Sequence, residues 1–364
     1  MRISRIAPAL LLVSLTAAQA QTATSRIVTA ANAFLVTLDA KQRQTATFAF
    51  DDEEQRKRWS NFPTTFVQRG GISLKEMTPA QRTTAMALVS AALSKKGFEK
   101  VQQIMDADEV LRTTDGGRGG PPGGGRGPGG RGRGPGGPGG GRGGDGQTFG
   151  KDLYYISILG TPSEKNPWML QFGGHHLALN ITIAGERGIL TPTLTGAQPA
   201  MYTANGKTIR PLEGESDKAL ALLKALDENQ KKQAILTYRV PDLVLGPGQD
   251  GKTIQPEGLK VSAMNDKQRA MVLDVIGEWA GIVHEQAAAA RMAELKADLG
   301  ETWFAWSGPT VAAPGTNITA YYRIQGPHLV IEYSPQSLGG DLALHVHTMY
   351  RDPTNDYGRK PGSR

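Results

Sequence analysis

Hydrophobic and polar residues along this chain follow two patterns, and the two occur in the same order twice. Met77-Thr-Pro-Ala-Gln81-Arg82-Thr-Thr-Ala-Met-Ala-Leu and Met264-Asn-Asp-Lys-Gln268-Arg269-Ala-Met-Val-Leu each open with a capping residue, Thr78 before Pro79 and Asn265, and continue at helical spacing. Each run later turns to the alternation of strands. Leu153-Tyr-Tyr-Ile-Ser-Ile-Leu-Gly160 matches Thr302-Trp-Phe-Ala-Trp-Ser-Gly308, and Gly173-Gly-His-His176-Leu-Ala-Leu-Asn180 matches Gln325-Gly-Pro-His328-Leu-Val-Ile-Glu332. Between the runs, Leu220, Leu222, Leu223 and Leu226 and the following Gln230 to Tyr238 predict helix, and Gly246-Pro-Gly-Gln-Asp-Gly251 predicts a loop. The expectation is an α+β protein made of two pseudo-symmetric helix-plus-hairpin halves, about residues 45 to 182 and 255 to 358. They form mixed or antiparallel sheet with flanking helices inside one domain of residues 30 to 360, followed by a tail of 359 to 364.

The alternation continues through Asp341-Leu-Ala-Leu-His345-Val-His347-Thr-Met-Tyr350, and this stretch carries the chemistry. Residues i and i+2 of a strand share a face, so His345 and His347 point one way and Leu342, Leu344 and Val346 the other. Two imidazoles about 7 Å apart along a strand can chelate one ion. On the earlier strand, alternation puts His175 with Leu177 and Leu179 and puts His176 with Ala178 and Asn180. His328 and Glu332 are the matching positions of the second run. With six histidines in the chain and five of them here, His175, His176, His328, His345 and His347 are the candidate metal ligands, suited to zinc, iron or copper. Glu332 is a candidate carboxylate of the same site. In the turn Arg351-Asp352-Pro353-Thr-Asn355-Asp356-Tyr-Gly358, Asp352 is a candidate acceptor behind a histidine or a general base, and Arg351 a candidate anion clamp. Asn355 and Asp356 read as turn formers. His284-Glu285 begins an H-E-x-x-H motif, but position 288 is alanine, which removes the second ligand.

Composition then narrows the class. A basic start, an apolar run of about a dozen residues and Ala18-Gln-Ala20 predict a secretory signal peptide over residues 1 to 20, hence an exported protein, periplasmic or extracellular. The apolar run is short of the roughly 20 residues needed to span a bilayer, so no membrane anchor is expected. With no cysteine, no disulfide framework is available. The formal charge of +7 suggests an anionic partner, but location decides otherwise. Two arginines leave with the signal peptide and five lie in a Gly/Pro/Arg-rich insert over residues 116 to 146, leaving the rest near neutral; no nucleic-acid partner is expected. The insert has no apolar residue to bury and is expected to be disordered. Read as an RGG-like arm it would touch anionic polymer; read blandly it is a surface loop. The five tryptophans are a sugar-stacking platform on one reading and core on the other.

At Arg58-Trp59-Ser-Asn-Phe62-Pro63, Gly173-Gly-His-His176 to Thr182, Gly326-Pro to Glu332 and His345-Val-His to Gly358, the chain resembles the exported proteins of domain-of-unknown-function family 3500, over about residues 30 to 360 apart from the insert. The resemblance implies no activity. The residues themselves point to a metal-dependent enzyme, hydrolytic or oxidative. The alternative is a non-catalytic binding protein for a small molecule or peptide, with the histidines as polar contacts. Substrate, metal and oligomeric state are not written in the sequence.

Overall fold

The computed structural model describes residues 21–114, 148–338 and 340–362. The expected signal peptide and the Gly/Pro/Arg-rich insert lie outside these residues.

The chain opens with α1 (Ala23–Thr37), capped by Thr22, and α2 (Ala40–Ala46), whose Asp39 and Gln42 close a capping box. β1 (Thr47–Phe48) and α3 (Glu53–Arg56) precede a loop to β2 (Ile72–Ser73). Then come α4 (Pro79–Ala92), with Pro79 in its first turn and a Thr78–Gln81 capping box, and α5 (Lys95–Thr114). The strands β3 (Tyr155–Leu159), β4 (Trp168–Gly173), β5 (Leu177–Ala184), β6 (Arg187–Ile189) and β7 (Thr193–Ala197) follow, and then the small hairpin β8 (Tyr202–Ala204) and β9 (Lys207–Ile209). The second run has α6 (Glu213–Ala225), α7 (Glu228–Ala234), β10 (Leu259–Lys260), α8 (Asp266–Ala280), α9 (Glu285–Ala297), β11 (Trp303–Ser307), β12 (Tyr321–Gly326), β13 (Leu329–Pro335) and β14 (Val346–Arg351). The protein is α+β, with a large mixed sheet flanked by helices.

The sheet runs β1-β3-β4-β5-β7-β14-β13-β12-β11-β10, with β2 on β3 and β6 on β5. Only β1 and β3 are parallel among its named strand pairs. The order places the strands of the first run on one wing and those of the second on the other, with β7 and β14 adjacent at the middle. Registers match across the wings: Gln171 faces Asn180 on β4–β5, and Arg323 faces Glu332 on β12–β13.

Helical spacing supplies the main core. Ile27, Ala31 and Phe34 of α1, Ala85, Leu88, Val89 and Ala92 of α4, and Val272, Val275, Ile276 and Trp279 of α8 are buried, as period 3.6 requires for one face. They pack on Leu177, Leu179, Ile181 and Ile183 of β5 and on Val346 and Tyr350 of β14. The alternate residues form a second, smaller cluster with Trp59 and Tyr357: Ala178 of β5, Leu194 of β7 and Met349 of β14. Helices thus cover one face of the sheet, and loops cover the other. Each fully buried Leu, Ile or Val contributes about 1.5–3 kcal/mol, so the helix-covered face holds the fold. The helix expected through Tyr238 stops at Ala234. Ile235 instead pairs in parallel with Trp306, and the chain then crosses the loop-covered face.

Candidate metal centre

β5 and β14 flank β7, so their backbones stand about 10 Å apart. Side chains from the two can meet only over β7, and the residue there is Gly196, in register with His347. A Cβ on Gly196 would stand 2.7 Å from the Val346 carbonyl oxygen, 3.2 Å from His347 Cδ2 and 3.3 Å from His176 Cδ2. The missing side chain is the space that the two imidazoles occupy.

Three imidazole nitrogens converge there. His176 Nε2 is 3.0 Å from His345 Nε2, and His345 Nε2 is 3.1 Å from His347 Nε2. The residues are 1%, 4% and 5% exposed. The far side of each ring is directed by a neighbour. His345 Nδ1 lies 2.6 Å from the Leu338 carbonyl oxygen, which only accepts, so Nδ1 carries the proton and Nε2 presents a lone pair. His347 Nδ1 lies 3.2 Å from the Asn61 amide, whose oxygen and nitrogen ends exchange by a half-turn. His176 Nδ1 lies 3.8 Å from Asp108 Oδ1. Burial lowers the pKa of all three rings, and the neighbouring imidazoles lower His176 and His347 further, so they are neutral at pH 7, the ligating form.

A second buried group adjoins the first. His175 Nδ1 is 2.8 Å from Asp108 Oδ1, and Tyr154 Oη is 3.0 Å from Asp108 Oδ2 and 2.8 Å from the His175 carbonyl oxygen. Burial pushes the Asp108 carboxyl up to about 6, against the pull of His176 and Tyr154. The expectation that His175 and His176 point to opposite faces is corrected here: their ring centroids are 3.6 Å apart. β5 begins only at Leu177, and His176 takes the left-handed φ of 59°, which ends the alternation at the hairpin tip. His176, His345 and His347, and likewise Asp108, His175 and His176, are groups that could hold a metal ion.

The remaining sequence candidates are engaged elsewhere. His328 sits at the surface with Thr354 Oγ1 at 2.9 Å. Glu332, expected to complete the site, instead accepts from the backbone N–H of Val244 and Leu245 and from Tyr321 Oη, each at 2.7 Å. It fastens the crossing loop to the sheet. Arg351 donates to the carbonyls of Leu245 and Gly246 and to Asp250 and Asp356, so its donors are spent within the fold. Asp352 accepts from Arg291 and Thr354 rather than from a ring of the cluster. His284 caps α9, accepting from the N–H of Ala287.

Sequence reasoning passed over Asp108, Tyr154, Asn61 and Gly196. Asn61 lies inside the Arg58-Trp59-Ser-Asn-Phe62 motif, and a lone glycine in the strand Thr193-Leu-Thr-Gly-Ala197 is a mark of close approach. Asp108 carries no such mark, being one of several acids on a long helix.

The family model for proteins of unknown function, DUF3500, matches residues 20–359. The chain belongs to that family. No curated protein and no solved structure matches it. Among the described residues no helix is long and apolar enough to cross a membrane.

Proposed function

We propose that this protein is an exported metal-dependent enzyme, hydrolytic or oxidative, whose ion is held by His176, His345 and His347. The observation that carries the reading is the convergence of three Nε2 atoms at 3.0 and 3.1 Å. Ligands about 2.0–2.1 Å from a tetrahedral ion stand ~3.3 Å from one another, close to the spacing seen. Hydrogen bonding alone is a poorer account. His345 Nε2 offers one lone pair to two neighbours, and a lone pair accepts one good hydrogen bond. An ion takes a lone pair from each ring and satisfies all three.

The surroundings also suit a ligand set. The Leu338 carbonyl fixes the His345 tautomer, the Asn61 amide steadies His347, and Gly196 leaves the room, which is the orienting support that metal-bound imidazoles require. Zinc, iron and copper are the ions that neutral imidazoles favour. Three protein ligands leave a position open, where a bound water would be acidified towards pKa ~7 for hydrolysis, or an oxidant could bind. The alternative, a binding protein with histidines lining its cleft, fits the burial of these rings less well. A small molecule or peptide is the class of substrate proposed.

The test is elemental analysis of the full-length chain, expressed without a tag. At least one zinc, iron or copper ion per chain is expected, and the His345→Ala/His347→Ala variant should bind one ion fewer than wild type while keeping its circular dichroism. A chain that takes up none of these ions after reconstitution overturns the reading.

We also infer that the two wings are copies of one unit. In support, the order helix, helix, short parallel pairing, loop, short strand, two helices and three strands starts at Ala23 and again at Glu213, the first loop differing by the single-turn α3. Gln42 and Gln81 exchange amide hydrogen bonds, and Gln230 and Gln268 do the same. Superposing residues 23–184 on 213–335 should align the sheet strands and these glutamine pairs together; alignment of one without the other would break the inference.

A further inference from the structure

We propose that the centre is dinuclear, with a second divalent ion held by Asp108, His175 and the Nδ1 of His176. It rests on the three-histidine reading only through His176, whose ring would bridge the two ions as an imidazolate. Three observations carry it. His176 Nδ1 is buried and has no hydrogen-bond partner among the described residues, an arrangement that costs about 1–3 kcal/mol unless something occupies it. Its direction is toward Asp108 Oδ1, at 3.8 Å, and Asp108 Oδ1 is itself 2.8 Å from His175 Nδ1. Two ligands about 2.0–2.2 Å from one ion stand ~2.9 Å apart at a right angle and ~3.4 Å at the tetrahedral angle, so the two spacings bracket a shared ion.

The second observation is the carboxylate. Asp108 is buried, and among the described residues no Lys or Arg forms an ion pair with it. Buried carboxylates are paired or coordinate metals, and a dication beside Oδ1 supplies the missing charge while Tyr154 holds Oδ2. The third is the backbone of His176. Its left-handed φ of 59° is disfavoured for any residue with a Cβ, and it is what brings the two adjacent rings together on one side. Loading both sites removes the ring proton of His176 to solvent, so the ring carries a negative charge between two positive ions.

The experiment uses the untagged full-length chain, stripped with a chelator and reloaded with Cu(II) alone. Wild type should take up two ions per chain, and its paramagnetic resonance intensity should fall well below that of two isolated Cu(II) ions, because the bridge couples their spins. His175→Ala, and separately Asp108→Asn, should take up one ion and regain a full uncoupled signal. The His345→Ala/His347→Ala variant should also retain one. One ion per wild-type chain, unchanged in His175→Ala and Asp108→Asn but lost in the double variant, would overturn the second site and leave the three-histidine reading standing. No ion in wild type would sink both. Two ions, neither lost in His175→Ala nor in Asp108→Asn, would place the second ion elsewhere and overturn the proposal. The conservative Asp108→Asn variant keeps the test open if His175→Ala fails to fold.

Discussion

Two hairpin tips in this protein are built alike and end differently. At the β4–β5 tip, His176 stands just before Leu177 with its Nδ1 3.8 Å from Asp108; at the β12–β13 tip, His328 stands just before Leu329 with its Nε2 4.0 Å from Asp298. Asp108 lies within α5, the last helix of the first run, and Asp298 caps the C-terminus of α9, the last of the second. The first pair has side chains 1% and 2% exposed, the second 34% and 43%. α5 continues past Asp108 to Thr114, whereas α9 ends at Ala297, one residue before Asp298. Next to the histidine the first tip has His175 and the second Pro327, whose ring fixes φ near −65°. The two His–Asp pairs thus differ in burial, and only the first lies beside His345 and His347. In water the second pair is an ordinary surface contact.

The sharpest way to break that comparison is to remove one histidine from each tip. His176→Ala should abolish tight metal binding, by a hundredfold or more in a competitive chelator titration, since second and third ligands cannot act alone. His328→Ala should leave the affinity within twofold. Equal losses would mean that burial does not distinguish the tips.

A next test fills the gap at the centre of the sheet. Gly196→Val puts a branched side chain where a Cβ alone would meet the Val346 carbonyl oxygen at 2.7 Å and two imidazole carbons at 3.2 and 3.3 Å. Overpacking of this kind costs about 1–3 kcal/mol, readable in a urea titration, and metal affinity should fall at least tenfold. Unchanged affinity would show that the rings need no room over β7.

The wings can also be compared at the pairs that fasten their loops. Gln171 and Asn180 hold the first loop, Gln171 Nε2 donating to the Arg56 carbonyl at 3.0 Å and to Asn180 Oδ1 at 2.8 Å. At the matching register, Glu332 holds the second. Glu332→Ala leaves two backbone N–H groups and the Tyr321 hydroxyl without their acceptor, a loss of about 2–3 kcal/mol, with metal content unchanged. Loss of metal in that variant would return Glu332 to the site.

That substitution also marks what the sequence could tell. The helix-then-hairpin order and the capping residues Thr78 and Asn265 are local, and they were legible. Of the site, the sequence offered His345 and His347 with His176 or His175 and with Glu332 or His328; the three rings that meet are one choice within that set. The error at Glu332 has a physical cause: alternation assigns a face, and a polar residue on the loop-covered face serves a ligand or a crossing loop equally well. Matching positions misled at His328, because equivalence in a framework does not carry burial with it. Asp108 was hidden since its partner is 67 residues away on another layer.

The smallest expected effect concerns two surface acids, one per loop. The Arg359 guanidinium bonded to Glu53, with Arg56 beside it, holds that carboxyl down at about 2; Tyr238 and Arg323 hold Glu257 below the usual range. A carboxylate whose folded pKa is depressed adds stability that is complete above its unfolded pKa, about 4.3, and is lost as pH falls through the folded value. Glu53 and Arg359 are both partly solvated, so water and salt screen them and that pair contributes at most about 1 kcal/mol. Glu53→Gln should therefore lower stability slightly at pH 7, and the difference from wild type should close between pH ~4.5 and ~2 and shrink in molar salt. Glu257→Gln should cost more at pH 7, because its partner Arg323 is only 4% exposed and would be left buried without its carboxylate. If Glu53→Gln instead cost several kcal/mol, or released metal, the loop over the site-bearing wing would be part of the centre itself, and the likeness of the two loops would end where the likeness of the two hairpin tips does.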